Sequence, residues 1–152
     1  LGDAKWNVEL GTFLNKENLR VIEWKYFRGS DFFIFSNPLK SFQMMGPTLT
    51  SEFSYLRGNF IHNFNGNIFG KIPLINRLNL QLSAGVSTLL IPGENLNHFE
   101  TFIGISRPFQ LWGELVKFGI YGCSSVNSLT GSTFELKIGA SSFNPFTKKW
   151  DY

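Results

Sequence analysis

Apolar and polar residues trade places with a period of two over much of this chain. Between Asn79 and Thr88, Leu80, Leu82, Ala84 and Val86 share one parity, and Asn79, Gln81, Ser83, Gly85 and Ser87 share the other. Between Thr133 and Ser142, Phe134, Leu136, Ile138 and Ala140 alternate with Thr133, Glu135, Lys137, Gly139 and Ser141. Successive side chains of a strand point to opposite faces, so each run predicts a ribbon with one oily and one wet side. Weaker runs over 5–14, 21–26, 56–65, 99–106 and 115–121 bring the expected total to seven strands. Ile61, His62, Phe102, Leu115 and Tyr121 break the alternation. Pro108 is expected to close the fifth strand, because proline cannot donate to a ladder. The stretch over about 29–47, with Pro38, Gly46 and Pro47, reads as a long loop. The segment over about 67–78, with Pro73 among Ile72, Leu74, Ile75 and Leu78, reads as a connector capping one end.

The chemistry of the two faces decides between water and lipid. The wet parity is built from Gly, Ser, Asn and Gln with a few charges of both signs, and Gly11, Gly85, Gly104, Gly119 and Gly139 all fall on it. That composition suits a crowded polar interior. The clearest apolar bands run about 9 to 11 residues, the length a tilted strand needs to cross hydrocarbon. Charged residues make up 16% of the chain against roughly 25% in soluble domains, and aromatics also reach 16%, led by 17 Phe. The expected fold is therefore all-β, an antiparallel transmembrane β-barrel with its apolar face toward lipid. Aromatics at run ends, such as Trp6, Tyr26, Phe64, Phe99, Phe109, Trp112 and Phe143, are placed to form interfacial girdles. The competing reading is a soluble lipocalin-like ligand-binding barrel, whose apolar face would be the inside and whose outer face should be rich in Lys and Glu.

Seven is an odd count. A bacterial single-chain barrel has an even number of strands, and an open edge in lipid leaves backbone groups unsatisfied at several kcal/mol each. Two solutions stand: Phe32, Phe33, Ile34 and Phe35 add an eighth strand to a small complete barrel, or residues 1–152 are the C-terminal portion of a larger one. The loop character of 29–47 favours the second, as does a first residue that is Leu rather than Met. No apolar stretch is long enough for a spanning helix.

Little in the chain points to catalysis. The histidines are His62 and His98, no spacing singles out Ser124 or Ser125 as a partner for His98, and no cluster of His, Cys or Asp suggests a metal. Neither an enzyme nor a cofactor is expected, although a small barrel enzyme remains a third reading. The single Cys123 excludes an internal disulfide. A net charge of +3 and a pI of 9.1 come from scattered Lys and Arg without any basic block, so no nucleic-acid partner is expected. Glu9, Glu23, Lys25, Arg57, Glu100, Lys117, Glu135 and Lys137 would populate the lumen with both signs. Phe146, Trp150 and Tyr152 share the apolar parity of the last strand and would form an aromatic assembly signal, unless Asn144 and Pro145 end the strand and a short tail follows.

Several motifs taken in order carry a resemblance. Tyr26-Phe27-Arg28-Gly29-Ser30, Phe35-Ser36-Asn37-Pro38-Leu39-Lys40-Ser41-Phe42, His62-Asn63-Phe64-Asn65-Gly66 and Lys71-Ile72-Pro73-Leu74 resemble a family of Gram-negative outer-membrane proteins of unassigned activity. Its members place an N-terminal carboxypeptidase-regulatory-like domain ahead of a large barrel. More distantly, the chain looks like the surface-antigen barrels of the outer-membrane insertase superfamily, in which an Arg-Gly tip folds into the lumen and five strands follow. That likeness implies that Arg28, with Gly29, anchors its loop. The acidic partner those barrels supply is missing from the wet face at Asn79, Gln81 and Ser83, where Glu52 or Glu100 would have to substitute. The resemblance implies a bacterial outer-membrane location, with the bilayer, the rest of the barrel and other outer-membrane proteins as partners. Transport, envelope assembly or service as a subunit of an outer-membrane complex are the expected roles.

Overall fold

A computed structural model describes residues 2–14, 20, 23–46, 49–73, 75–144 and 149–151; for 143, 144 and 149–151 it describes the backbone alone. The described residues form an all-β, antiparallel structure. One sheet contains β1 (Asp3–Gly11), β4 (Tyr55–Asn63), β5 (Gln81–Ile91), β6 (Leu96–Leu111), β7 (Glu114–Asn127), β8 (Gly131–Asn144) and β9 (Lys149–Asp151), paired in that order. A separate pair joins β2 (Lys25–Phe27) to β3 (Leu49–Ser51). The large sheet does not close on itself, since β1 and β9 are its two edges.

The large sheet has seven strands, as expected, but not with the expected members. The run over 21–26 does not join it: residues 21 and 22 lie outside the described residues, and Lys25–Phe27 pairs with 49–51 instead. The seventh place is taken by Lys149–Asp151, folded back on Ser142, Phe143 and Asn144. Phe32 to Phe35 forms no eighth strand. Ile34 makes a single parallel bridge with Ile138, where the Phe35 N–H reaches the Ile138 carbonyl at 2.9 Å and the Ile138 N–H reaches the Phe33 carbonyl at 2.8 Å.

Proline 108 does not end its strand either. β6 runs from 96 to 111, and Pro108 pairs with Lys117. The ladder with β5 stops at Ser106, so Pro108 sits where β6 has one neighbour, the edge setting in which proline is tolerated. The hairpin beyond it turns through Trp112 and Gly113, with φ of +49° and +89°. Two residues at positive φ make the primed turn whose twist matches that of the flanking strands. The β7–β8 turn and the 3-10 turn at Pro92–Glu94 lie at the opposite end with Thr12 and Ser54, whose hydroxyls are 2.8 Å apart, called here the loop end. The Trp112–Gly113 turn and the 64–80 connector, which contains two short 3-10 turns at Phe69–Lys71 and Ile75–Leu78, lie at the turn end.

The sheet is inside out relative to a soluble domain. On the parity of Ile103, Ile105, Ile120, Phe134, Leu136 and Ile138 the side chains are exposed, Ile138 at 64%. On the other parity Asn59, Ser83, Ser87, Glu100, Ser106, Lys117, Ser125, Lys137 and Ser141 are buried. Rows run across the strands in register, so Leu82, Ile105, Ile120 and Ile138 stand side by side on the outer face.

Three of the residues that broke the alternation, Ile61, Phe102 and Tyr121, have a common cause, whereas His62 lies on the outer parity and Leu115 is exposed. Ile61, Phe102, Tyr121 and Cys123 point inward and pack with Phe35, Leu39 and Met44 of the long loop. The five inward glycines lie under inward rings. A Cβ at Gly104 would meet Tyr121 at 2.0 Å, one at Gly139 would meet it at 2.7 Å and one at Gly119 at 2.9 Å; one at Gly85 would meet Phe102 at 2.4 Å, and one at Gly11 would meet Tyr55 at 2.4 Å. Rings laid flat over glycines fill the concave side of a curved sheet without crowding it.

Candidate functional site

The concave face is covered by residues 28–46, and the contact between this loop and the sheet is the most elaborate polar arrangement among the described residues. Asn37 starts it locally. Its side-chain oxygen accepts the Leu39 N–H at 3.0 Å and its carbonyl accepts the N–H groups of Lys40 and Ser41 at 3.1 and 2.9 Å, a turn that Pro38 favours through its fixed φ. Gln43, fully buried, holds the turn shut: it accepts the Ser36 N–H at 3.0 Å and donates to the carbonyls of Ser36 and Ser41 at 3.1 and 3.2 Å. The base closes where the Phe42 N–H meets the Arg28 carbonyl at 2.9 Å.

Four inward side chains grip this loop. Glu100, 1% exposed, accepts the Gln43 N–H on one oxygen at 2.7 Å and the Met44 N–H on the other at 2.9 Å, while the His98 Nε2 stands 3.2 Å away. Hydrogen bonds to an ionised acceptor are stronger than neutral ones, and a carboxylate receiving two backbone N–H groups fixes a segment in place. Lys137 donates to the Asp31 carbonyl at 2.6 Å and pairs with Glu135 at 3.3 Å. Arg57 reaches the Leu39 carbonyl at 3.3 Å, lies over the Phe42 ring at 5.2 Å and donates to the Asn59 side-chain oxygen at 2.8 Å. Asn7 reaches the same Leu39 carbonyl at 3.3 Å. Between these polar clamps Phe35 stacks on Tyr121 with centroids 3.7 Å apart and meets Phe102 edge-on at 5.0 Å.

At the loop end Phe27, Phe42 and Met45 pack with Tyr55, Leu89, Ile91 and Leu96. Beside this cluster Lys25 bonds Glu9, and the Tyr55 hydroxyl donates to the same carboxylate at 2.7 Å. Burial disfavours the Lys25 charge, yet its bonds to Glu9 and Tyr55 outweigh this and hold its pKa above the ordinary lysine value.

The residues singled out in the sequence are placed as follows. Arg57, Glu100, Lys117 and Lys137 are buried on the concave face, Glu135 and Glu52 are half-buried, and Glu23 is exposed. Arg28, the anchor implied by the surface-antigen likeness, has an exposed side chain; Glu100 grips backbone N–H groups further along the loop. Gly29 is where the loop backbone crosses itself, since a Cβ there would lie 2.3 Å from the carbonyls of Met45 and Gly46. Phe146 and Tyr152, and the side chain of Trp150, lie outside the described residues. Gln43, Phe35 and Tyr121 were not expected to hold the loop. The signal for them was the inward apolar exceptions, which require an apolar cover on a face otherwise polar. Ser124 is exposed and paired with Thr101 on the outer face, while His98 is buried on the inner one. The Ser125 hydroxyl is 2.8 Å from that of Thr133. Among the described residues no group of three or more His, Cys, Asp or Glu is arranged to hold a metal.

A sheet with a buried polar face, an exposed apolar face and a loop clamped on its concave side defines the class of protein. The chain belongs to a family of unknown function (DUF5686), through the C-terminal domain whose model matches residues 1–105. The motifs from Tyr26 to Leu74 that carried the resemblance all fall inside that range. No curated protein matches the chain, and no solved structure does.

Proposed function

We propose that this chain forms part of the wall of a bacterial outer-membrane β-barrel, with lipid against the outer face of β4–β8 and residues 28–46 on the lumen side. The observation that carries the reading is the inversion of polarity: serines, a glutamate and lysines are buried, while a continuous apolar surface is exposed. Exposed apolar patches of that extent mark a membrane or a partner. A soluble barrel requires the reverse arrangement. The lengths of β6, β7 and β8, 14 to 16 residues, exceed the 9 to 11 needed to cross hydrocarbon and leave strand ends to stand in the headgroup regions. The free edge of β1 favours further strands, since backbone groups left open in lipid are costly. An N-terminal carboxypeptidase-regulatory-like domain ahead of the barrel, and kinship with the surface-antigen barrels, fit the motif order.

The barrel acts without chemistry of its own, in transport, in envelope assembly or as a subunit of an outer-membrane complex. Clamped by Glu100, Lys137 and Arg57, the 28–46 segment narrows whatever passage the lumen offers. Membrane fractionation tests the reading. The full protein should sediment with outer membranes, resist carbonate and urea washes, and dissolve only in detergent. Recovery in the aqueous phase as a monodisperse protein overturns it.

A further inference from the structure

The outer face is apolar from strand to strand apart from small hydroxyls such as Thr101 and Ser124, with one charged interruption in its body. Among the described outward side chains of β4–β8, the charged groups are Arg107 and Glu114, and Glu114 stands beside the Trp112–Gly113 turn. Arg107 is different. It is exposed, flanked along β6 by Ile105 and Phe109, and paired across the ladder with Phe118. No described residue forms an ion pair or hydrogen bond with its guanidinium. It lies four residues from the end of β6 at Leu111, which on a tilted strand is about 10 Å below the turn.

An open groove of about 810 Å³ starts at this arginine. Leu82, Ile105, Ile120 and Ile138 line it, and Gly122, outward but without a side chain, deepens it. Its walls are hydrocarbon and its one cation stands at the end nearer the turn.

We infer that Arg107 and this groove form a binding site for one anionic phospholipid, with the phosphate on the guanidinium and an acyl chain along the groove. The inference rests on the membrane reading above and adds a specific ligand to it. Two features fit a lipid rather than a protein. A guanidinium presents a planar fork of donors that matches phosphate oxygens, and on this surface it has no carboxylate to satisfy it. The groove continues the face that lipid already covers, so an acyl chain occupies it with no loss of hydration, whereas the arginine needs an anion at that depth. Its aliphatic stem can reach toward the headgroups while staying over Phe109 and Phe118.

The test uses the full-length protein in detergent, with dioleoyl phosphatidylglycerol, dioleoyl phosphatidylcholine and inorganic phosphate as separate probes and bound lipid counted by native mass spectrometry. Wild type should retain one phosphatidylglycerol, at least fivefold more than phosphatidylcholine, and no inorganic phosphate. Arg107→Gln should remove the preference, Arg107→Lys should keep part of it, and Ile120→Trp, which fills the groove, should weaken retention of both lipids while the barrel stays folded on a heat-modifiability gel. Equal phosphatidylglycerol retention by wild type and Arg107→Gln overturns the site, as does binding of phosphate alone. A dimer that Ile120→Trp separates, with no lipid held, assigns the groove to a second copy and also overturns it. A protein that needs no detergent fails the membrane reading before any lipid is added, which separates the two failures.

Discussion

The two faces of β6 and β7 carry the same backbone and opposite instructions. On the outside, Ile103, Ile105, Phe118 and Ile120 are exposed and meet only other residues of the same face, Phe118 stacking on Phe109. On the inside, Phe102, Tyr121, Glu100 and Lys117 are buried, the first three of them against the 28–46 loop. The difference shows where specificity resides. The outer face asks only for apolar atoms, so many sequences would serve. The inner face needs a ring over each glycine and a carboxylate at the height of two N–H groups, so few would. Uniform solvation by hydrocarbon imposes composition, and packing against a folded segment imposes identity.

The sharpest way to break this contrast is to put charge on the outer face. Ile138→Arg should destabilise the inserted protein by about 2–4 kcal/mol near the midplane, read as a lowered urea midpoint for unfolding from vesicles and loss of the compact band on unheated gels. A change within about 0.5 kcal/mol, ordinary for an exposed site in water, would mean that water touches this face. Next is the loop clamp. Glu100→Gln leaves one acceptor for two buried N–H groups and should cost about 1–3 kcal/mol, with new protease cleavage inside 28–46. Arg28→Ala should stay within about 0.5 kcal/mol, since its side chain is exposed. A loop released by Arg28→Ala but not by Glu100→Gln would return the anchor to the arginine. The smallest effects compare two glycines. Gly104→Ala places a Cβ against Tyr121 and should cost about 1 kcal/mol or more by overpacking. Gly122→Ala, whose nearest side-chain atom is 3.5 Å away, should be silent in the same urea titration.

The 28–46 loop shows how far the residues spoke in advance. A loop over about 29–47 was expected from Pro38, Gly46 and Pro47, and the charges at Arg57, Glu100 and Lys137 were expected to face a lumen. Their partners were not legible. Glu100 binds backbone N–H groups 56 and 57 positions away, and backbone donors carry no mark in a sequence. Arg28 drew attention because a resemblance pointed to it, whereas the clamp depends on where the loop crosses the sheet. The groove at Arg107 was equally hidden, because Leu82, Ile105, Ile120 and Ile138 become neighbours only through register.

What the sequence determined by itself is facing. A period of two sends alternate side chains to opposite sides whatever the strand pairs with, so the oily and wet sets of 79–88 and 133–142 were fixed locally. Only the tertiary structure decided which segments pair. Lys25–Phe27 left the large sheet for Leu49–Ser51, Lys149–Asp151 took the seventh place, and β6 ran through Pro108 because its neighbour β5 had already ended. Pairing is a contest between distant segments, settled by loop closure and by what packs on the concave face, and a local pattern contains neither quantity.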